Sequence, residues 1–159
     1  MKNTGTLKVE VRGDREIVMT RVFDAPRDLV WKAMTQPELV KRWFGPRGHQ
    51  LVECDIDLRV GGKWRYVILQ PDGSTMGMFG EYLEIEAPER TVHTESFDQF
   101  AEFGAGVITT VLTESHGKTT LSAVEVAPSP EVRDAIVSSG MEHGAAETYD
   151  RLAELLATL

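Results

Sequence analysis

Four histidines and one cysteine are the residues of this 159-residue chain best suited to metal binding or nucleophilic chemistry. A zinc site needs several such ligands at close spacing. His49, His93, His116 and His143 are dispersed, and none stands at such a spacing from another His, a Cys or a carboxylate. No metal is therefore expected. His116 falls in a turn sequence, whereas His93 lies in a strand pattern and His143 in a helical one, so both could reach an interior. There each would orient a ligand or act as an acid or base; the plainer alternative is a satisfied or surface histidine. Cys54 sits on the apolar side of an alternating strand, which reads as a buried structural thiol and not a nucleophile. Glu53, Asp55 and Asp57 alternate on the opposite side and read as a solvated convex face. The sequence holds no Gly-x-Ser-x-Gly elbow, no phosphate-binding glycine loop and no convincing dinucleotide fingerprint. Neither a catalytic set nor a cofactor is expected.

Apolar side chains supply the remaining candidates. Trp43 and Phe44 end a short helical pattern and either form an aromatic lip over a cavity or staple that helix to a sheet. Trp64 and Tyr66 share a strand face, as pocket lining or as ordinary core, and the polar atom of each needs a partner if buried. Met34, Met78, Met141 and Phe97 suit an adaptable apolar pocket, although methionine is also common filler.

The longest element available to position these residues is a helical pattern over 129–159. Val137, Met141, Gly144, Ala145, Thr148, Leu152, Leu155, Leu156 and Leu159 fall on one stripe. Ser129 can cap its first free amides, and Pro130 fits the first turn. A helix of about 30 residues spans roughly 45 Å and needs a broad partner. Alternating segments supply one. A strand is expected over 15–23, with Ile17, Met19 and Arg21 on one side, and a short edge strand around Leu7, Val9 and Val11. Two short helices follow, the first capped by Asp24 and running through Thr35, the second from Pro37 to the Gly45-Pro46 stop. Hairpin strands then cover 51–60, 63–69, 76–85, 91–97, 107–113 and 119–126. In the first of these Val52, Cys54, Ile56 and Leu58 share a face, and a bend or bulge is expected at Gly77 or Gly80. Strands grouped together with helices at the ends give an α+β fold, in which an antiparallel sheet wraps the C-terminal helix.

Composition narrows the function classes. A 42% hydrophobic content supports one domain over 1–159, with 1–14 as an N-terminal extension or edge strand. The net charge of −8 argues against a nucleic-acid groove, which needs concentrated Lys and Arg. No uninterrupted apolar run is long enough for a membrane span, and the first residues carry no secretory pattern. The single cysteine suits a reducing compartment, so a cytoplasmic location is expected.

A series of motifs carries a family resemblance. Arg21-Val-Phe-Asp-Ala-Pro26, Val30-Trp31, Thr35-Gln-Pro-Glu38 and Arg42-Trp-Phe-Gly-Pro46 come first. Glu53-Cys-Asp-Ile-Asp-Leu-Arg-Val-Gly-Gly-Lys-Trp-Arg65, Gly80-Glu-Tyr-Leu-Glu-Ile85, Pro88-Glu-Arg90 and Tyr149-Asp-Arg-Leu152 follow in order. From about Leu7 onward the chain resembles the short bacterial branch of the family named after the activator of heat-shock protein 90 ATPase. That family belongs to the START-like helix-grip superfamily. The resemblance implies a curved antiparallel sheet of about six or seven strands gripping the long C-terminal helix, a cavity between them, and two short helices closing one end. Many family members place a large apolar residue after the glycine matching Gly144, where this chain has Ala145. With Gly140 and Gly144 this makes the middle of the helix small-sided, so that Gly144, Ala145 and Thr148 become expected cavity floor. A bulky sheet residue such as Trp64 or Phe97 could instead fill the gap.

The expected function is non-enzymatic binding of a small, mostly hydrophobic molecule in that cavity, in a stress- or detoxification-related role. The alternatives are a co-chaperone-like protein interaction, or an enzyme whose cavity acid or base is His93, His143 or Tyr66. A homodimer formed through an exposed sheet edge is a further expectation.

Overall fold

The computed structural model of the chain describes residues 7–159, so the first six positions of the expected extension lie outside the described residues. Eight strands form one antiparallel sheet: β1 (Lys8–Arg12), β2 (Glu16–Phe23), β3 (Gln50–Ile56), β4 (Lys63–Leu69), β5 (Thr75–Glu86), β6 (Arg90–Phe97), β7 (Gly106–Ser115) and β8 (Lys118–Val126). Their spatial order is β1-β2-β8-β7-β6-β5-β4-β3. The count exceeds the expected six or seven because the N-terminal edge segment pairs along its whole length with β2, Val9 opposite Met19. That edge carries Lys8, Glu10 and Arg12, charges that hinder addition of a further strand.

Bulges bend the far half of the sheet. The β5–β6 register shifts between Tyr82 and Glu84, and the β3–β4 register shifts between Leu51 and Glu53. An extra residue on one strand bends and twists it locally. The bend in β5 therefore lies beyond Gly77 and Gly80, not at them. Gly80 answers a different need. A side chain there would collide with the Thr94 carbonyl and the Trp64 indole nitrogen. The β3 bulge also resets its alternation, so Leu51 and Cys54 point inward while Val52 is 44% exposed. Leu58 lies beyond the strand and is exposed as well, so the expected face of Val52, Cys54, Ile56 and Leu58 is not formed.

Helices α1 (Arg27–Thr35) and α2 (Pro37–Val40) cross between β2 and β3. Pro26 occupies the cap position of α1 and Asp24 makes no capping bond. Instead the Arg27 amide donates to the Glu114 carboxylate of β7 at 2.7 Å, a carboxylate placed at the positive end of the helix. Beyond α2, Trp43 and Phe44 remain in a helical turn, their amides bonded to the Val40 carbonyl.

The expected 30-residue helix is two helices, α3 (Pro130–Ser138) and α4 (Met141–Leu156). Ser129 caps α3 as expected, accepting from the Val132 amide at 3.1 Å. Gly140 ends it with φ +84°, a left-handed conformation that glycine adopts without a Cβ clash. No residue of α3 is buried, and Val137 is 41% exposed, so this flank does not anchor the helix to the sheet. The C-terminal end of α4 does, through buried Leu152, Leu155 and Leu156. These three pack with Phe23, Val30, Trp43 and Leu121 in one apolar cluster. A second cluster, with Val40, Leu51, Cys54 and Ile68, lies under α2 and β3–β5.

Polar contacts complete the grip. Arg21 points inward from β2, donates to Asp150 of α4 at 2.9 Å and lies over the Phe23 ring. Arg151 donates to the Gly45 carbonyl at 2.8 Å, tying the other flank of α4 to the loop after α2.

Candidate functional site

Residues of both clusters border a cavity of about 1100 Å³ between the concave sheet face and helices α1, α3 and α4. Cross-strand register builds its wall in rows. Tyr66, Met78 and Phe97 stand opposite one another across β4, β5 and β6. Tyr82, His93, Ile108 and Glu125 form the neighbouring row across β5 to β8. Opposed residues of an antiparallel pair share a face, so each row presents a continuous strip to the cavity. From α4, Met141, Ala145, Thr148 and Tyr149 recur at helical spacing and cover it.

All of the expected cavity residues line this space except Gly144: Met34, Trp43, Phe44, Trp64, Tyr66, Met78, His93, Phe97, Met141, Ala145 and Thr148 do so. Gly144 faces Pro46 instead, and a Cβ there would come within 3.3 Å of that ring. Its small size therefore serves helix–loop packing. Thr148 returns its hydroxyl to the Gly144 carbonyl at 2.8 Å. Two of the indole nitrogens are satisfied within the protein, Trp43 donating to the Ala33 carbonyl at 2.9 Å and Trp64 to that of Thr94 at 3.2 Å. Trp64 and Phe97 border the cavity without filling it.

His143 does not reach the site. It is exposed on the outer side of α4, 3.4 Å from Glu147. His93 does reach it, and burial depresses its pKa to about 4, which keeps the ring neutral at ordinary pH. Burial likewise holds Tyr66 well above the usual phenol range and Tyr149 up at about 12, so both stay protonated. The Cys54 thiol is buried and raised to about 11, consistent with its structural reading. Among the described residues no group of three His, Cys, Asp or Glu is placed to hold a metal ion.

Two carboxylates in the cavity wall, Glu95 and Glu125, have no counterpart among the expected site residues. Glu95 stands opposite Gly106, and Glu125 opposite Ile108, so both project from the concave face on either side of β7. Gly106 makes room for Glu125, since a Cβ there would lie 3.3 Å from its carboxylate oxygen. Burial, then the mutual repulsion of the pair, raises the Glu95 pKa to about 8; burial raises Glu125 as well. Glu125 was legible in β8, where it continues the inward alternation of Leu121 and Ala123.

The cavity opens between α3 and the 3-10 segment Asp98–Phe103. Phe100 and Phe103 line it and yet are 55% and 58% exposed, and Ala135 of α3 and Ser139 just after it are exposed lining residues on the other side. None of these four, nor Met19 and Trp31 of the inner wall, was singled out from sequence; loop aromatics carry no periodicity to reveal an inward face.

The sequence model for Activator of Hsp90 ATPase homolog 1-like protein matches residues 24–157. The chain belongs to that family. Its fold is shared by a Rhodobacter sphaeroides protein that is 29% identical, with a TM-score of 0.88 over 97% of this chain and 99% of the other. A Nitrosomonas europaea protein is 25% identical, with a TM-score of 0.83 over 93% and 97% of the two chains. A Mycobacterium smegmatis protein, 23% identical with a TM-score of 0.85 over 95% and 97%, shares the architecture. No curated protein matches the sequence. Family membership accords with a START-like fold, and no helix among the described residues is long and apolar enough to cross a membrane.

Proposed function

We propose that this protein binds a small, mostly apolar molecule in the cavity between its sheet and α4. The observation that carries this reading is an interior left open by its side chains. Two apolar clusters flank a space of about 1100 Å³, at the upper end of the few hundred to about 1,000 Å³ common for ligand pockets. Trp31, Trp43, Phe44, Tyr66 and Phe97 give this space large apolar faces, and Met34, Met76, Met78 and Met141 give it walls that can repack around a guest.

Ala145 lines the cavity on α4, which makes it the position at which to test the reading. Ala145→Trp should narrow the space and weaken uptake of a fluorescent aromatic probe such as anthracenylmethanol, while the far-ultraviolet circular dichroism stays that of a folded protein. Native mass spectrometry of freshly purified protein provides the complementary measurement. Failure of the wild type to take up any apolar probe would sink the proposal.

A further inference from the structure

The charge distribution inside the cavity is one-sided. Glu95, Glu125 and, toward the opening, Glu131 line it, and no Lys or Arg is among the residues that do. Arg21, a buried cation of β2, is held by Asp150 at 2.9 Å and by the Val22 carbonyl at 2.7 Å. Glu125 is 8% exposed, and what it exposes faces the cavity. Among the described residues neither Glu95 nor Glu125 has a hydrogen-bond donor or an ion-pair partner. Buried carboxylates are ordinarily paired, and an unpaired one costs stability that well-packed apolar residues would not. The two carboxylates share one recess over Gly106, with the Tyr149 ring above them on α4 and neutral His93 beside them on β6.

We infer that the Glu95–Glu125 pair is the polar end of the ligand site and receives a cationic or donor-rich nitrogen, so that the ligand is an amine-bearing apolar molecule. The inference rests on the cavity being a ligand site. Its chemistry is that of charge-assisted hydrogen bonds in a water-poor recess, which are stronger than neutral ones. Aromatic faces of Tyr66, Tyr149 and Trp64 around the recess add cation–π attraction for the same class of ligand. The same arrangement repels fatty acids and other carboxylates, because a second anion would find no cation in the wall. A cation also suits the proton held on the pair: its arrival favours ionisation of both carboxylates and expels that proton.

Three probes of equal size separate these possibilities: anthracenylmethylamine, anthracenylmethanol and anthracene carboxylate, titrated by fluorescence into the full-length protein and its E95Q/E125Q variant. The expected result at about pH 7.5 is an amine affinity at least about tenfold above that of the alcohol, with the carboxylate weakest. In E95Q/E125Q the amine and the alcohol should bind alike. The amine preference should also shrink as pH falls toward about 5, because carboxyls whose pKa values are raised by burial take up protons and lose the charge that holds the amine. The other titratable groups facing the pair, His93, Tyr66, Tyr82 and Tyr149, keep their neutral forms across that range, and Glu131 on α3 stands at the opening. Equal binding of all three probes, or an amine preference that survives in E95Q/E125Q, overturns the inference and leaves the cavity reading standing. If the wild type takes up none of the three, the cavity reading fails and this one with it. Glutamine keeps the shape of each side chain, and a circular dichroism melt confirms that the variant is folded.

Discussion

The Glu95 carboxyl holds its proton more tightly in the folded chain than in the unfolded one, since burial and Glu125 raise its pKa to about 8. For an acid shifted upward, folded and unfolded states are both protonated below the ordinary carboxylate range, and the group then contributes nothing. As pH climbs from that range toward about 8 the unfolded state ionises freely while the folded one resists, so stability falls. Glu95→Gln should therefore raise stability by about 1 kcal/mol or more at pH 8.5, with the gain shrinking toward pH 5; urea melts at the two pH values measure it. Trp43 illustrates the opposite dependence on burial. It is 3% exposed and its indole N–H meets the Ala33 carbonyl, so Trp43→Ala should cost about 3–5 kcal/mol in the same assay. At this scale the sequence was readable where side-chain character and strand parity agreed, as for Trp64 and Tyr66, which share a face of β4. Glu95 shares the parity of His93 and Phe97 in β6, so the alternation pointed it inward, and its charge rather than its position argued against the interior. His143 was not readable, since a helical stripe fixes a side only once its partner surface is known.

Among the elements, α4 is held by packing at its C-terminal end and by one largely buried ion pair in its middle. Asp150→Ala leaves the Arg21 guanidinium without its carboxylate in a site where it is 9% exposed, and should cost about 3 kcal/mol. Replacing both, as R21M/D150L, should recover most of that loss, and chemical denaturation of the single and double variants checks both statements. Gly140→Ala isolates a backbone effect: φ is +84° and nothing lies within 4 Å of the added methyl, so a cost of about 1 kcal/mol reflects conformation alone. The order of elements was legible from apolar alternation and turn residues, and β4 was legible to the residue. The helix break was hidden because Ser138-Ser139-Gly140 interrupts a stripe whose apolar spacing runs on across it, and a C-terminal glycine cap competes with that spacing only through local geometry. The Val52 bulge left no trace, since an extra residue in a strand preserves composition while it shifts parity.

Over the whole molecule, stability is distributed unevenly. The sheet, α1, α2 with the turn after it, and the 152–156 end of α4 carry most of the buried apolar residues, whereas α3 has none and the 98–103 segment keeps two phenylalanines largely in solvent. Amides of α3 should thus exchange with solvent through local opening, well below the free energy at which 152–156 exchanges. Uptake of anthracenylmethanol should slow exchange in 130–138 and 98–103 and leave 152–156 unchanged, a difference that hydrogen-exchange mass spectrometry resolves. Fold recognition at this scale came from the ordered series of motifs, which encode the scaffold and its turns. The cavity's acidity lies in single side chains on the strands between those motifs, outside what such a series records.

The left-handed turn at Gly140 has a bearing on how this protein can change. A helix that covers a cavity ordinarily doubles as core, so altering what it touches risks the fold. Here the break loosens that link: α3 borders the cavity with Glu131, Val132, Ala135 and Ile136 while carrying no buried side chain, and the last turns of α4 secure the architecture. Substitutions at Val132, Ala135 or Ile136 can reshape the entrance at little expense to folding. New specificity can accumulate in α3 by drift or by deliberate library design, with the gripping end of α4 held constant.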